Sequence, residues 1–145
     1  MIEIRPMKVK DFNQILKIER ESFSSPWTIK AFNKELNNNY GYYLVAVKEE
    51  QVVGYIGVWF VLDEAHITTL AIKINYRRQG IAIKLLKRII KDSREDNINK
   101  ITLEVRRSNK VAQKLYKKIG FVSIGFVEEY YTDNQEDALL MWKKV

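Results

Sequence analysis

Between His66 and Ile90 the apolar residues change their spacing, from an extended run to a helical stripe, across a short basic turn. His66 to Ile74 reads as a strand, and Ala82, Leu85, Leu86, Ile89 and Ile90 fall on one face of a strongly amphipathic helix. Such a strand-turn-helix unit buries both apolar surfaces only when the helix lies back over a sheet. The chain is thereby confined to layers of strands and helices.

The flanking segments supply the other parts of those layers. Ile2 and Ile4 suggest a short first strand, and Phe12, Ile15, Leu16, Glu19 and Phe23 stand at helical spacing up to a helix end near Ser24. Ser25-Pro26-Trp27-Thr28 suits a second helix start, with Ile29, Phe32 and Leu36 on one face before Asn37-Asn38-Asn39 breaks the pattern. Tyr42 to Val47 and Val52 to Val61 predict a hairpin around Glu49-Glu50-Gln51, in which Gly54 and Gly57 mark a bulge or a close backbone approach. Ile101, Leu103 and Val105 alternate as a strand, and Val111, Ala112, Leu115 and Ile119 mark a helix that Gly120 can end in a left-handed conformation. Phe121 to Val127 and Ala138 to Trp142 make a final strand pair. The order β-α-α-β-β-β-α-β-α-β-β predicts an α/β (α+β) fold, a mixed sheet flanked by helices, in one domain over residues 1–145 with no repeat or linker.

Several chemistries drop out on composition. There is no cysteine, and the single His66 cannot build a multi-histidine metal site, so neither a disulfide framework nor a metal centre is expected. His66 reads as a surface or core-edge residue, and Trp59 and Trp142 read as core. The start lacks the pattern of a secretory signal, and the longest apolar run, Val52 to Leu62, is shorter than the roughly 20 residues of a membrane-crossing helix. A cytoplasmic protein without membrane association is expected. The net charge of +7 admits a polyanionic partner, yet its distribution is more informative. From Lys73 to Lys91 every charged residue is basic, and from Glu128 to Asp137 every one is acidic. Taken alone, each run also reads as a solvated face.

The basic turn holds Arg77-Arg78-Gln79-Gly80-Ile81-Ala82, just before the helix. A helix start presents unpaired N–H groups and a partial positive charge, and glycine allows close backbone approach, so a pyrophosphate suits this place. Simple turn chemistry explains one glycine equally well. Arg77-x-x-Gly80-x-Ala82 resembles the acetyl-coenzyme A motif of the GNAT superfamily: glutamine or arginine, two residues, glycine, one residue, glycine or alanine. That resemblance implies a mostly antiparallel sheet of about seven strands with about four helices. It also implies that the backbone from Arg77 through Arg78, Gln79, Gly80 and Ile81 to Ala82 grips the cofactor pyrophosphate, with Lys84 and Arg88 as nearby counter-charges. Leu70, Ala71 and Ile72 would form the splayed strand beside the pantetheine arm.

A second constellation follows at Glu104, Asn109 and Tyr116. Asn109 and Tyr116 lie seven residues apart, two helical turns, and share a face. Glu104 interrupts the apolar residues near a strand end, where it is either a functional carboxylate or an exposed position on the opposite sheet face. An α-amine with a pKa of ~7.7 to 8.0 must lose a proton before attacking a thioester. Glu104 can take it, directly or through water, provided that partial burial raises its proton affinity. Tyr116, a phenol of pKa ~10 against roughly 8.5 for a thiol, can donate to the leaving thiolate. Core packing is the other reading of Tyr116; a helix cap is that of Asn109, and it can coexist with hydrogen bonds to the pantetheine amides.

Within the superfamily the chain is most similar to the RimI-type ribosomal-protein alanine N-acetyltransferases, over nearly its whole length. Pro26-Trp27, Leu103-Glu104-Val105-Arg106 with Ser108-Asn109, Leu115-Tyr116 with Gly120-Phe121, and Tyr130-Tyr131 followed by Glu136-Asp137-Ala138 and Met141 carry this likeness. It implies acetyl transfer to a protein N-terminal amine, the alanine of the eighteenth small-subunit ribosomal protein, with Tyr130 and Tyr131 holding the first backbone units of the acceptor. Trp27 would edge that groove or pack beneath it, and the acidic run would attract a protonated N-terminus and a basic tail. A GNAT acting on lysine or a small amine is a rival that the tyrosine pair disfavours; a non-catalytic acyl-coenzyme A sensor is one that the presence of Glu104 and Tyr116 disfavours. No motif supports direct nucleic-acid binding despite a pI near 9.5.

Overall fold

The computed structural model describes residues 1–24 and 26–145. Ser25 and the side chain of Leu36 lie outside the described residues, and with them the expectations that Ser25 helps to open the second helix and that Leu36 shares its apolar face. Seven strands form one sheet: β1 (Glu3–Pro6), β2 (Gly41–Lys48), β3 (Gln51–Val61), β4 (Glu64–Ile72), β5 (Lys100–Arg106), β6 (Val122–Val127) and β7 (Ala138–Lys144). Their order is β1-β2-β3-β4-β5-β7-β6, and among the described residues only the β4–β5 pair is parallel. Four helices cover the sheet: α1 (Phe12–Ser22), α2 (Ile29–Leu36), α3 (Ile81–Glu95) and α4 (Lys110–Ile119). This is the mixed, mostly antiparallel sheet with flanking helices expected from the sequence.

Each sheet face has its own core. Ile81, Leu85, Leu86, Ile89 and Ile90 of α3 pack with Leu44, Ala46, Ile56 and Val58 of the sheet and with Tyr116 of α4. Phe12, Ile15, Leu16 and Ile18 of α1, with Phe32 of α2, pack against Tyr43, Val45, Tyr55 and Ala71 on the other side. Each fully buried aliphatic side chain contributes about 1.5–3 kcal/mol, so the two stripes hold the helices far more firmly than helix propensity does.

β4 ends at Ile72, two residues before the expected Ile74, because the chain tightens into a short 3₁₀ turn at Ile74–Tyr76 that leaves Ile74 exposed. At Gly57 the expected bulge is present, since the β3–β4 register shifts beside it, and a Cβ there would collide with the Tyr43 ring, a side chain and not a backbone. Gly120 takes φ 106° and caps α4, as its position suggested. The feature that positions the site is a parting of strands. β4 and β5 pair only over Glu64–His66 and Lys100–Thr102, and beyond that point they diverge.

Candidate active site

Where β4 and β5 diverge, a cleft of about 570 Å³ opens. It brings together Trp27, Leu70, Glu104, Asn109, Tyr116 and Tyr131 of the residues singled out in the sequence. Ala71, Ile72, Tyr130 and the turn from Arg77 through Arg78, Gln79, Gly80 and Ile81 to Ala82 do not line it. Leu70, Ala71 and Ile72 all pair with β3, opposite Ile56, Tyr55 and Gly54, and of the expected splayed segment only Leu70 lines the cleft.

Strand alternation buries Ile101, Leu103 and Val105 and turns Thr102, Glu104 and Arg106 to the other face. Glu104 is not a bare carboxylate. His66 Nε2 lies 2.9 Å from its Oε2, and the Tyr130 hydroxyl donates to its Oε1 at 3.0 Å. Burial pushes the Glu104 carboxyl up, but the hydrogen bond and charge of His66 and the Tyr130 hydroxyl together hold it below its ordinary range. The proviso that its proton affinity be raised is thus not met: burial does raise it, but His66 and Tyr130 outweigh burial. His66, read from sequence as a surface or core-edge residue, is a direct partner of Glu104, and its Nδ1 lies 2.8 Å from Thr102 Oγ1. The sequence signal was weak, because the pairing depends on the parallel register of His66 with Thr102, which no local pattern encodes.

Tyr116 is buried against the edge of the Phe121 ring, at 5.7 Å between centroids, and also lines the cleft. Burial, with the neighbouring Tyr131, pushes its phenol well above the ordinary range, so it keeps its proton at neutral pH. Asn109 caps α4, its Oδ1 accepting the Ala112 N–H at 3.1 Å. Its amide nitrogen is left for a ligand in the cleft.

Beyond the C-terminal end of β4, Gly80 takes φ 80° immediately before α3, and no side chain among the described residues caps the helix. A Cβ at Gly80 would meet nothing within 4 Å, so the glycine is required by its left-handed backbone and not by crowding. The first turn of α3 carries no acid, and its free N–H groups with the exposed Lys84 suit an anion. Two side chains serve the turn itself: Arg77 donates to Ile72 O at 3.0 Å and to Ser22 Oγ at 3.1 Å, and Gln79 donates to Asn75 O at 3.3 Å. Arg88 is paired with Asp92 at 3.2 Å on α3. An anion here would be held chiefly by backbone.

The acceptor side also departs from expectation. Asp133 and Glu136 pair with Arg106, and Asp137 pairs with Arg107, so much of the acidic run is neutralised within the fold. Trp27 both lines the cleft and packs at 5.0 Å on Phe32. Trp59 is 37% exposed and not core, because its indole N–H reaches Glu35 at 3.0 Å on the sheet edge of α2; Trp142 is only partly buried, under Lys100. A residue missed in sequence is Glu19, which is 1% exposed on the cleft floor. Its Oε2 accepts the Trp27 N–H at 3.1 Å and fixes the end of the α1–α2 loop, while Oε1 has no hydrogen-bond partner among the described residues. Burial pushes its carboxyl up, against the pull of the Trp27 amide and the nearby Thr69 hydroxyl.

Among the described residues no cluster of three or more side chains could hold a metal ion, and no helix is long and apolar enough to cross a membrane. Comparison with known proteins decides the family, since the Acetyltransferase (GNAT) family model matches residues 12–121. The chain belongs to the GNAT family. A [ribosomal protein bS18]-alanine N-acetyltransferase of Haemophilus ducreyi (strain 35000HP / ATCC 700724) is 34% identical over 137 residues, 91% of this chain and 92% of that one. A relative from Bacillus subtilis (strain 168), whose name assigns the same activity provisionally, is 44% identical over 140 residues, 96% of this chain and 93% of its own. The crystal structure of the ribosomal-protein-S18-alanine N-acetyltransferase from Escherichia coli superposes with a TM-score of 0.92 at 28% identity, covering 100% of this chain and 94% of that one. This GNAT chain therefore shares the whole-length architecture of that enzyme.

Proposed function

We propose that this acetyltransferase moves the acetyl group of acetyl-coenzyme A to the N-terminal α-amine of a protein, with the alanine of ribosomal protein bS18 as its acceptor. The observation that carries the reading is the cleft itself, in which a hydrogen-bonded carboxylate and a proton-retaining phenol face one space between parted strands. The whole-length similarity to bS18-alanine N-acetyltransferases supports the acceptor. The cosubstrate supplies an activated acyl thioester. Backbone amides of Arg78, Gln79, Gly80, Ile81 and Ala82, following Arg77, hold its pyrophosphate; Leu70 flanks the pantetheine arm, and Asn109 hydrogen-bonds its amides. Ala71 and Ile72 keep that strand paired to β3.

On the acceptor side Trp27 and Tyr131 form walls of the groove, and Tyr130 stands at its edge. Both oxygens of Glu104 are already engaged, which favours proton removal from the ammonium through a water relay rather than by direct contact. The amine nitrogen then forms its bond to the acyl carbon as the carbon–sulfur bond breaks; Tyr116 donates its proton to the departing sulfur, and the second proton that the nitrogen sheds as it becomes an amide returns to the Tyr116 oxygen through water. The enzyme acts in the cytoplasm, where free acetyl-coenzyme A and ribosomal proteins are both present. Mass spectrometry of peptides with free or blocked N-termini, incubated with acetyl-coenzyme A, tests the acceptor. Acetylation confined to free N-termini and favouring alanine is expected, whereas acetylation that survives blocking would assign the activity to lysine.

A further inference from the structure

Arg106 ends β5 on the same sheet face as Glu104, at the rim of the cleft. Its guanidinium engages the β6–β7 loop four times. Nη2 donates to Asp133 Oδ2 at 2.8 Å, Nη1 donates to Asn134 Oδ1 at 3.1 Å and to Glu136 Oε1 at 3.3 Å, and the planar group lies 4.0 Å from the centroid of the Tyr131 ring. Asp133 Oδ2 also accepts from Ser24 Oγ at 2.7 Å, so one carboxylate joins Arg106 to the α1–α2 loop. Ser24, Tyr131 and Asp133 all line the cleft, and the chain of contacts therefore spans its mouth.

We propose that Arg106 is the positioning residue of the acceptor site: it fixes Tyr131 and ties together the two loops that admit a protein N-terminus, without touching the reacting atoms. This rests on the acceptor reading above. The β6–β7 loop carries several carboxylates that repel one another unless a cation lies among them. A lysine would supply the charge, but neither the planar set of donors nor the stack on Tyr131. Arginine at this position is therefore a geometric requirement and not only an electrostatic one. The contact to Tyr131 links the loop's order directly to a wall of the groove, so a loosened loop weakens acceptor binding ahead of any effect on the thioester carrier.

Steady-state kinetics on an alanine-starting peptide, together with calorimetry of acetyl-coenzyme A binding, test this in Arg106→Gln and Arg106→Lys, each made in the wild-type and in the Tyr131→Leu background. Loss of charge-assisted contacts to the loop is expected to raise the peptide KM by about tenfold or more in Arg106→Gln. The turnover at saturating peptide and the affinity for acetyl-coenzyme A stay within about threefold of wild type, and Arg106→Lys recovers only part of the loss. In the Tyr131→Leu background the same change adds less than about twofold, because the two residues act as a unit. Fully multiplicative effects in that cycle, an equal loss of acetyl-coenzyme A affinity, or complete rescue by lysine would overturn the proposal. Should Arg106→Gln fail to melt cooperatively, Arg106→Lys carries the same cycle with the same readings. A wild-type enzyme that acetylates no free N-terminus would overturn the acceptor reading, and this inference with it.

Discussion

Burial draws the Glu104 carboxyl upward, while His66 and Tyr130 pull it further down, so Glu104 is ionised throughout the neutral range. The pH dependence of kcat/KM should therefore follow the acceptor amine, rising toward its pKa of ~7.7–8.0, with no step from Glu104 between about pH 5 and 7. A profile already flat at about pH 6 would contradict this. Glu19 behaves in the opposite sense. Its buried carboxyl is raised in the folded state, so its stabilising protonation is complete below the unfolded value of ~4.3 and is lost as pH climbs through the folded one. Thermal melts should show the melting temperature of Glu19→Gln gaining on that of wild type over this window and then levelling; a difference independent of pH would refute the assignment. Glu104 and Tyr116 were legible in the sequence because a carboxylate among apolar alternating residues and a tyrosine on an amphipathic face stand out from their surroundings. His66, Glu19 and Arg106 were not, since their partners come from other elements and their chemistry arises only from tertiary proximity.

At the scale of elements, hydrophobic period carried most of the reading. The α3 stripe of Leu85, Leu86, Ile89 and Ile90 was plain from its spacing, and all four are buried against the sheet. Truncating Leu86, which is 1% exposed, to alanine should cost about 2–5 kcal/mol by denaturant unfolding. A loss below about 1 kcal/mol would place Leu86 outside the core. Boundaries were less legible: β4 stops at Ile72 because a 3₁₀ turn is formed, a local choice that apolar Ile74 disguised. The parting of β4 from β5 was legible only through family resemblance, because the residues of both strands remain equally strand-like after pairing ends.

For the molecule as a whole, the separation of charge along the sequence overstated the field at the acceptor side. Asp133, Glu136 and Asp137 spend their charge on Arg106 and Arg107, binding the loop to the β5 end in place of attracting a distant tail. The basic turn before α3 keeps its character, since no acid enters the first helical turn. What unites both ends is the divergence of two parallel strands, which gives one space to a thioester and an amine with Glu104 and Tyr116 at its walls. The most direct measurement is the rate of acetyl transfer to an alanine-starting peptide at saturating substrates in wild type, Glu104→Gln and Tyr116→Phe, alongside calorimetric acetyl-coenzyme A affinity. Each substitution is predicted to slow turnover by about a hundredfold with affinity unchanged; wild-type turnover in both variants would contradict the assignment.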